Sequence, residues 1–414
     1  MIVPKIRIKG FDAEWANPTI EEIFEVRNGY TPSKFVSEFW TNGTIPWFRM
    51  EDIRDKGGIL REAYQQITPI AVKSTGLFNA YSIIMATTAT IGIHAMPIVD
   101  SLANQQFTNF SIRKLLEKQY DPYFIYYSFF QLDEWAKMNV NSGGLLSVDI
   151  KGLLKQPLYS PDIKIQKQIA SYFQSLDSLI EKTGKKIATL KQTKQASLQS
   201  MFPQEGETKP RVRFKGFADE WEKVEIGKYG DTYSGLSGKS KDDFGKGNAK
   251  YITFLNVLTN AQINTSILES VDVKTGERQN AVQNGDILFN TSSETPEEVG
   301  LCSVLLENIP NVYLNSFCFG FRPNNPTINS KFLVYLMRGH IGRSIMKVLA
   351  QGATRYNLSK KRLCETLIPI PTNMNEQKQI AEYFSNLDKQ ISIQEQRLEK
   401  LKQIKSACLK NMFV

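Results

Sequence analysis

The chain contains its longest helical sequence twice. Residues 166–202 return without a gap as residues 377–413, and 18 of these 37 positions are identical. The opening phrase Pro4–Trp15 also returns, 206 positions later, as Pro210–Trp221. We therefore interpret the protein as two tandem copies of one unit, each of which ends in the same helix.

Both copies of this helix carry apolar residues at alternating steps of four and three, the heptad pattern of helices that pair. The seams are interrupted at the same two places, by Thr183 or Gln394 and by Lys194 or Lys405. Polar seam residues cost stability but fix register, so the matched interruptions favour pairing of the two helices with each other over separate packing on two domains. The predicted seam comprises Ile169, Phe173, Leu176, Ile180, Ile187, Leu190 and Met201, and in the second copy Ile380, Phe384, Leu387, Ile391, Leu398, Leu401 and Met412.

The rest of each copy mixes strand-like and helical segments. Asp121 is the predicted N-cap of an aromatic helix, since Pro122 follows at the first helical position. The predicted helices are Thr19–Phe24 and Pro122–Trp135 in the first copy and Val224–Lys228 and Lys331–Met337 in the second. The predicted strands, bounded by turn residues, are Ile45–Met50, Tyr81–Met85 and Gln106–Ile112 in the first copy and Tyr251–Val257, Asp286–Phe289 and Ser316–Phe321 in the second.

These elements predict an α+β fold with two globular domains separated by two long helices. If the first helix runs to the second domain and the second helix folds back on it, the pair is an antiparallel coiled coil. A pseudo-two-fold axis would then relate the domains at the ends of a rod about 50 Å long. The predicted bounds are residues 1–160, first domain; 161–204, central helix; 205–371, second domain; and 372–414, C-terminal helix.

Charge and cysteine content narrow the functional class. The net charge is +9 and the isoelectric point about 9.1, which fits an anionic partner without proving one. All four cysteines lie in the second copy without a Cys-x-x-Cys spacing, and the only histidines are His94 and His340. This pattern argues against a disulfide framework or a zinc cluster and favours the reducing cytoplasm.

One stretch, Tyr81–Val99, approaches membrane-spanning length with nineteen residues and no formal charge. It is rich in Thr and β-branched residues and contains Gly92 and Pro97, so we interpret it as buried strands. The N-terminus offers no basic-then-apolar signal pattern. We therefore expect no membrane segment.

Four catalytic chemistries lack their motifs. An adenine methyltransferase needs Asn or Asp before Pro-Pro and an aromatic residue, but only one proline follows Asp121. A phosphate-binding Walker loop needs glycine where Tyr233 stands. Pro161-Asp162 lacks the acidic-x-Lys pair of a metal-dependent nuclease, and two histidines give little support for a nucleophile–base pair. We expect no catalytic residue, cofactor or metal site in this chain.

The partner that best fits a repeated frame is double-stranded DNA, whose backbone is itself two-fold. Diverged globular domains on two copies of one helix predict recognition of an asymmetric DNA site in two parts. Basic residues in loops suit phosphates, while amides and arginine suit base edges. The candidate contacts are Lys34, Arg49, Arg54, Asn104, Gln105 and Gln106 in the first domain and Lys239, Lys241, Lys246, Asn315 and Arg355 in the second. For each of them a solvated surface role, or an amide that caps a turn, is an open alternative.

The helix motif Gln377-Lys378-Gln379-Ile380-Ala381, continued by Tyr383-Phe384 and Leu387-Asp388, and its twin at Gln166 to Asp177 resemble the specificity subunit of type I restriction-modification enzymes. The resemblance covers essentially the whole chain and includes the Gly-Phe-x-x-x-Trp phrase and the loop Gly29–Lys34. It implies two target-recognition domains, two spacer helices and no catalytic activity.

The same resemblance implies partners. Two methyltransferase subunits would bind this chain, and restriction–translocase subunits would join through the complex. S-adenosylmethionine, ATP and Mg would belong to those partners, and the methyltransferase would flip the target base. Two alternatives from other classes are a self-contained DNA-modifying enzyme with diverged motifs and a coiled-coil scaffold that binds only proteins.

Overall fold

The structure, a computed structural model, describes residues 4–8, 14–141, 146–350 and 356–413. The chain forms two compact units, one made of Met1–Gly184 with Gln396–Val414 and the other of Lys185–Glu395. Each long helix therefore begins in one unit and ends in the other. As a result, each unit combines one globular domain with the first half of one long helix and the second half of the other.

The first copy contributes a run of short elements and then the first long helix. In chain order they are α1 (Ile20–Ile23), β1 (Phe24–Asn28), β2 (Ile45–Phe48), α2 (Met50–Lys56), β3 (Ile59–Leu60), β4 (Gln65–Ile67), β5 (Ile83–Ala86), β6 (His94–Pro97), β7 (Leu102–Ala103), β8 (Phe107–Ile112), α3 (Pro122–Met138), β9 (Val140–Asn141), β10 (Ser147–Val148), α4 (Ile150–Leu154) and α5 (Ile163–Ser200). Three 3-10 helices accompany them, at Ser37–Phe39, Pro69–Ala71 and Lys114–Leu116.

The second copy has a related order and also ends in a long helix, but it opens with a strand, has two helices in place of α3 and adds a strand before the long helix. Its elements are β11 (Glu222–Glu225), β12 (Gly230–Ser234), β13 (Phe244–Ile252), α6 (Phe254–Thr259), β14 (Glu269–Val271), β15 (Ile287–Asn290), β16 (Ser292–Ser293), β17 (Cys302–Val304), β18 (Val312–Leu314), β19 (Cys318–Pro323), α7 (Ser330–Arg338), α8 (His340–Leu349), β20 (Tyr356–Asn357), α9 (Lys360–Cys364), β21 (Leu367–Ile370) and α10 (Met374–Asn411). Its 3-10 helices are Ile226–Lys228, Lys241–Asp243 and Thr265–Ile267.

Each unit builds two main sheets of the same design. The larger sheets have the strand orders β1-β8-β5-β6-β3 and β12-β19-β15-β17. The three-stranded sheets have the orders β4-β2-β7 and β14-β13-β18. In both of the latter, the central strand pairs antiparallel with one neighbour and parallel with the other. The predicted α+β class and the internal repeat are thus confirmed at the level of strand pairing.

Most predicted elements have a counterpart in the structure. Asp121 caps α3, because its Oδ1 accepts hydrogen bonds from the Tyr123 and Phe124 amides at 3.0 Å. The aromatic side chains of α3 form core, as in the edge-to-face contact of Phe129 with Phe24 at 5.6 Å. The uncharged stretch Tyr81–Val99 contains the buried strands β5 and β6. Within the described residues, no helix has both the length and the hydropathy of a membrane span.

Two predicted elements differ in the structure. The predicted strand Tyr251–Val257 ends at Ile252, because the Thr253 side chain caps α6 by accepting from the Asn256 amide. The predicted helix Val224–Lys228 is half strand, since β11 pairs with β21 before a single 3-10 turn begins at Ile226. In both cases a local cap or a strand partner distant in sequence overrides the apolar pattern.

A buried glutamine ties the start of each long helix to its own domain. In the first unit, Gln166 donates from Nε2 to the carbonyls of Gln119 and Pro161 and accepts from the Asp121 amide. In the second unit, Gln377 makes the corresponding bonds to Thr327 O, Pro371 O and Asn329 N, all between 2.8 and 3.0 Å. Each amide group is satisfied on both sides, which explains why this position carries glutamine in both copies.

In each unit, an aspartate eleven positions after this glutamine joins three helices. Asp177 of α5 accepts from Lys405 of α10 at 2.5 Å and from the Tyr127 hydroxyl of α3 at 2.8 Å. Asp388 of α10 likewise accepts from Lys194 of α5 at 2.5 Å and from Tyr335 of α7 at 2.9 Å. We call these two sets the aspartate clamps. Burial and the nearby carboxylate raise the pKa of both tyrosines, so their hydroxyls remain neutral donors.

The two long helices therefore contact each other within both units. Their direction is antiparallel: in the first unit, Phe173 stacks on Phe413 and Asp177 pairs with Lys405. In the second unit, Lys191 pairs with Glu395 and the Ser197 hydroxyl lies 2.9 Å from that of Tyr383. The lysines that interrupt each apolar seam, Lys194 and Lys405, are the cations of the clamps and fix the register, whereas the Thr183 hydroxyl bonds to Leu179 O of its own helix.

The predicted seam residues face inward on both helices. Ile180, Leu190, Leu398 and Leu401 are half-buried. The remaining seam residues are buried: Ile169, Phe173, Leu176, Ile187 and Met201 on α5, and Ile380, Phe384, Leu387, Ile391 and Met412 on α10.

The clamps generate a stability prediction. Replacing Asp388 with Ala leaves the buried Tyr335 hydroxyl without its acceptor, so the free energy of unfolding should fall by about 1–3 kcal/mol. Glu382→Ala, at an exposed position of the same helix, is the matched control and should change it by less than about 0.5 kcal/mol. Urea unfolding of the full chain measures both, and equal effects of the two substitutions would contradict the role of the clamp.

Candidate nucleic-acid interface

In the first unit, the loop Asn28–Lys34, which contains Gly29, lies against the turn Asn104–Gln106. The Tyr30 amide donates to Ala103 O at 2.9 Å, and the Asn104 amide donates to Phe48 O at the end of β2 at 3.1 Å. A Cβ atom on Gly29 would stand 2.3 Å from Asn104 O, so only glycine permits this approach. The loop, the strand end and the turn thereby form one edge of the domain.

The second unit repeats this edge with other residues. The Leu236 amide donates to Leu314 O at 2.8 Å, and the Asn315 amide donates to Ile252 O at 3.1 Å. A Cβ atom on Gly235 would stand 2.2 Å from Asn315 O. We call the two arrangements the loop–turn edges. They share backbone geometry, while most of the side chains that they present differ.

The candidate amide side chains lie in these turns, but some of their hydrogen-bonding atoms already bond to other residues of the same unit. Asn104 Oδ1 accepts from the Gln106 amide at 3.0 Å, and Asn315 Oδ1 accepts from the Phe317 amide at 2.8 Å. Gln105 accepts from the Thr31 hydroxyl at 2.5 Å, which joins the turn to the loop. Both asparagines therefore cap their own turns, and the Asn104 amide nitrogen also donates to Gln106 Oε1 at 3.4 Å, so a base edge would compete with bonds inside the turn.

The candidate cations of the first domain fall into two groups. Lys34 in the loop and Arg54 on α2 are exposed. Arg49 directly follows β2 and is half-buried, with its guanidinium 2.6 Å from Glu51. Lys34 and Arg54 can therefore meet a phosphate without breaking an ion pair of the described chain, whereas Arg49 must first leave Glu51.

The second-domain candidates are more scattered. Lys239 lies 2.5 Å from Glu277 with its side chain only 4% exposed, and this lysine holds the pKa of Glu277 below its usual range. Its charge is neutralised inside the domain, which disfavours it as a phosphate contact. Lys241 and Lys246 are exposed, but they lie just before and early in β13, whereas Asn315 contacts the last residue of that strand. Arg355 lies outside the described residues.

The structure adds residues that the sequence patterns did not single out. Phe35 is fully exposed directly after Lys34, and Phe317 is 59% exposed in the turn of the second unit. The only signal in the sequence is an aromatic residue within or beside a turn segment, which is too common to be selective. Beside Lys34, a groove lined by Ser37, Trp40, Thr41 and residues 64–66 also opens on the surface.

The described residues contain no cluster of three or more His, Cys, Asp or Glu side chains placed to hold a metal ion. His94 is buried, with Nδ1 2.6 Å from Asp133 and Nε2 2.8 Å from the Tyr126 carbonyl. Because both ring nitrogens are engaged, His94 serves packing inside the first unit. Burial raises the pKa of the Cys302 and Cys318 thiols to about 12, which disfavours nucleophilic thiolates there.

Comparison with protein families identifies this architecture. The model of the type I restriction modification DNA specificity domain matches residues 12–192 and again residues 218–403. The chain belongs to this family. The two matches correspond to the two copies, and each includes a globular domain and most of the long helix that follows it.

Individual relatives agree with this assignment. The chain is similar to the EcoprrI type I restriction enzyme specificity subunit of Escherichia coli, with 44% identity over 146 residues, or 35% of this chain and 36% of that relative. It is 23% identical over 293 residues to the MjaVIII specificity subunit of Methanocaldococcus jannaschii, covering 69% and 68% of the two chains. The alignment with the Escherichia coli protein thus spans about a third of that relative's length.

Solved structures show the same fold. The type I restriction-modification S subunit from M. genitalium superposes with a TM-score of 0.61 at 16% identity, over 100% of this chain and 99% of that one. A chain from a structural study of complex assembly in the type I system gives 0.56 at 14% identity, over 98% and 99%. At these identities the likeness concerns the fold alone.

The different surroundings of Lys34 and Lys239 lead to a prediction about the salt dependence of DNA binding. Lys34→Ala should make the negative slope of log K against log salt for duplex DNA shallower by about 0.9, because one phosphate contact is lost. Lys239→Ala should leave the slope unchanged, because Glu277 already neutralises that charge. Fluorescence anisotropy of the full chain on a labelled duplex at several salt concentrations measures both slopes. Equal reductions in the two variants would show that the ion pair opens on DNA.

Proposed function

We propose that this chain supplies DNA sequence specificity to a type I restriction-modification complex. It binds double-stranded DNA at an asymmetric site in two parts, reads one part with each globular domain, and has no active site of its own. The observation that carries the proposal is the pair of loop–turn edges. The same backbone arrangement occurs once in each unit and presents unlike side chains at equivalent positions.

The difference between the edges supports an asymmetric site. The first turn presents Gln105 and Gln106, and the second presents Ser316 and Phe317 at the same positions. Amide side chains suit adenine edges, whereas a phenyl ring offers only apolar contact or stacking. Two domains whose loop–turn edges present such different side chains recognise different half-sites, even though their backbone arrangement repeats.

The proposed partners follow from the family. Two methyltransferase subunits bind the chain, restriction–translocase subunits join the complex, and S-adenosylmethionine, ATP and Mg are bound by those partners. The names of the relatives, each a specificity subunit of a restriction enzyme, support a role within a larger assembly. Exposed positions along both long helices, including Tyr172 and Ile393, leave surface for such partners.

The proposal predicts a specific methylation pattern. In a host that expresses this chain with its methyltransferase partners, mapping of modified bases should yield one motif with two unlike parts and a gap of constant length. The purified chain alone, incubated with labelled S-adenosylmethionine and the same DNA, should transfer no methyl group. Methyl transfer by the chain alone would favour a self-contained enzyme. If no methylated motif depends on the presence of this chain, the result would favour a scaffold that binds only proteins.

Exchange of one domain provides a further prediction. Replacing residues 205–371 with the matching segment of another family member should change one half of the motif and leave the other half and the gap intact. The exchanged segment should keep Asn329 and Tyr335, which contact Gln377 and Asp388 of α10. It should also keep Arg213, whose guanidinium binds the buried Glu376 through two hydrogen bonds. A chimera with these residues that changes both halves would contradict separate reading.

A further inference from the structure

An open groove of about 490 Å³ lies on the first unit beside the loop–turn edge. Its lining combines two aromatic rings, two amides, two hydroxyls and one lysine, contributed by Trp40, Tyr64, Gln65, Gln66, Ser37, Thr41 and Lys34. This combination of π-faces, edge-reading amides and a cation is the chemistry that binds a nucleobase and its phosphate.

The rings of the groove are held in place before any ligand binds. Trp40 donates from Nε1 to Ser33 O at 3.0 Å and packs edge-to-face on the buried Trp47 at 5.1 Å. The Tyr64 hydroxyl bonds to Asp55 at 3.1 Å, and Lys56 stands 4.3 Å above the Tyr64 ring. Such fixed rings lose little conformational freedom on binding, which favours affinity.

One amide of the groove lacks a partner. The Oε1 atom of Gln65 is shielded from solvent and accepts no hydrogen bond from the described residues. An unpaired buried acceptor costs free energy. A donor group on a ligand in the groove, such as an exocyclic amine of a base, could satisfy it after a side-chain rotation.

At the loop beside this groove stands the most exposed aromatic side chain of the described chain. Phe35 has the full solvent exposure of an unfolded reference, and the Trp40–Ser33 hydrogen bond fixes the loop that carries it. Single exposed apolar residues are common on protein surfaces. This one is unusual because it directly follows Lys34, which lines a groove that also contains aromatic and amide groups.

We propose that Phe35 and this groove form a subsite for one base of the bound DNA that is unstacked from its neighbour. The Phe35 ring stacks on the base face, the amides of Gln65 and Gln66 bind the base edge, and Lys34 contacts the adjoining phosphate. The proposal rests on the proposed function and specifies how the first domain meets its half-site. Apolar side chains that enter a base step and unstack it are an established device of DNA-binding proteins.

The described residues of the second unit, which leave out 351–355, do not repeat this arrangement. In the corresponding loop, Lys239 is folded against Glu277, and Ser240 caps the next 3-10 helix by binding Asp243. The subsite therefore belongs to one half-site only, and its loss should affect recognition of that half.

Two substitutions at Phe35 and one control test the proposal in the full chain. On a duplex that carries the methylated motif, Phe35→Ala should weaken binding roughly tenfold to a hundredfold, the range expected for one lost stacking contact. The salt slope should not change, because no charge is removed. Phe35→Trp should retain affinity. The control Leu115→Ala removes an equally exposed apolar side chain, 93% exposed on the same unit, and should bind as the parent chain does.

A fluorescent base analogue locates the subsite. With 2-aminopurine placed in turn at each position of the duplex, one position in one half-site should change its emission on binding of the parent chain and of Leu115→Ala, but not of Phe35→Ala. Phe35→Ala should unfold thermally as the parent chain does, because the ring is fully exposed. Binding by Phe35→Ala as tight as by Leu115→Ala, or emission changes that persist without the ring, would overturn the subsite and leave the proposed function standing. If the parent chain with its partners does not prefer the motif to a random duplex, the proposed function itself fails.

Discussion

The hydrogen-bonded aspartate in the first half of each long helix is the contact on which the rest of the structure depends. Asp177 and Asp388 each accept a bond from a lysine of the other long helix and from a tyrosine of the adjacent globular domain. One carboxylate thus fixes the register of two helices and the seating of a domain. Charge-assisted bonds of this kind are stronger than neutral ones. Together with the buried glutamine eleven positions earlier in each copy, the aspartate explains why this segment kept its sequence while the domains diverged.

The different constraints on the helices and on the loop–turn edges explain why the two copies agree more closely in their long helices than in their globular domains. The frame must satisfy fully buried amides and a clamp shared by three elements, so few substitutions are compatible with it. The loop–turn edges satisfy their backbone bonds through glycine and asparagine and leave the neighbouring side chains free to vary. Gln105 and Gln106 in one unit and Ser316 and Phe317 in the other illustrate this freedom. Side chains at the two edges can therefore differ while the frame remains the same.

The sequence predicts the frame well because its signals are periodic and local. The heptad positions, the N-cap Asp121 and the two long helices follow from spacing and from capping chemistry, and the structure has them as predicted. The role of the seam lysines can be predicted from the sequence only in part, because their partners Asp177 and Asp388 lie about 200 residues away along the chain. The contact candidates were less predictable, because exposure depends on tertiary neighbours. Lys239 and Lys34 look alike in their loops, yet only the first is neutralised by Glu277. The groove beside Phe35 is formed by two segments that are separate in sequence, residues 34–41 and 64–66, so no local pattern predicts it.

The account separates a frame from two reading edges, and hydrogen exchange of the full chain with and without motif-bearing DNA tests that separation most directly. Binding should slow exchange of the backbone amides in the loops at residues 29–36 and 235–241 and in the turns at 104–106 and 315–317. Amides around Gln166, Asp177, Gln377 and Asp388 should exchange as slowly without DNA as with it, because the clamps are already formed. Protection confined to the long helices, with no change in either loop–turn edge, would contradict the account.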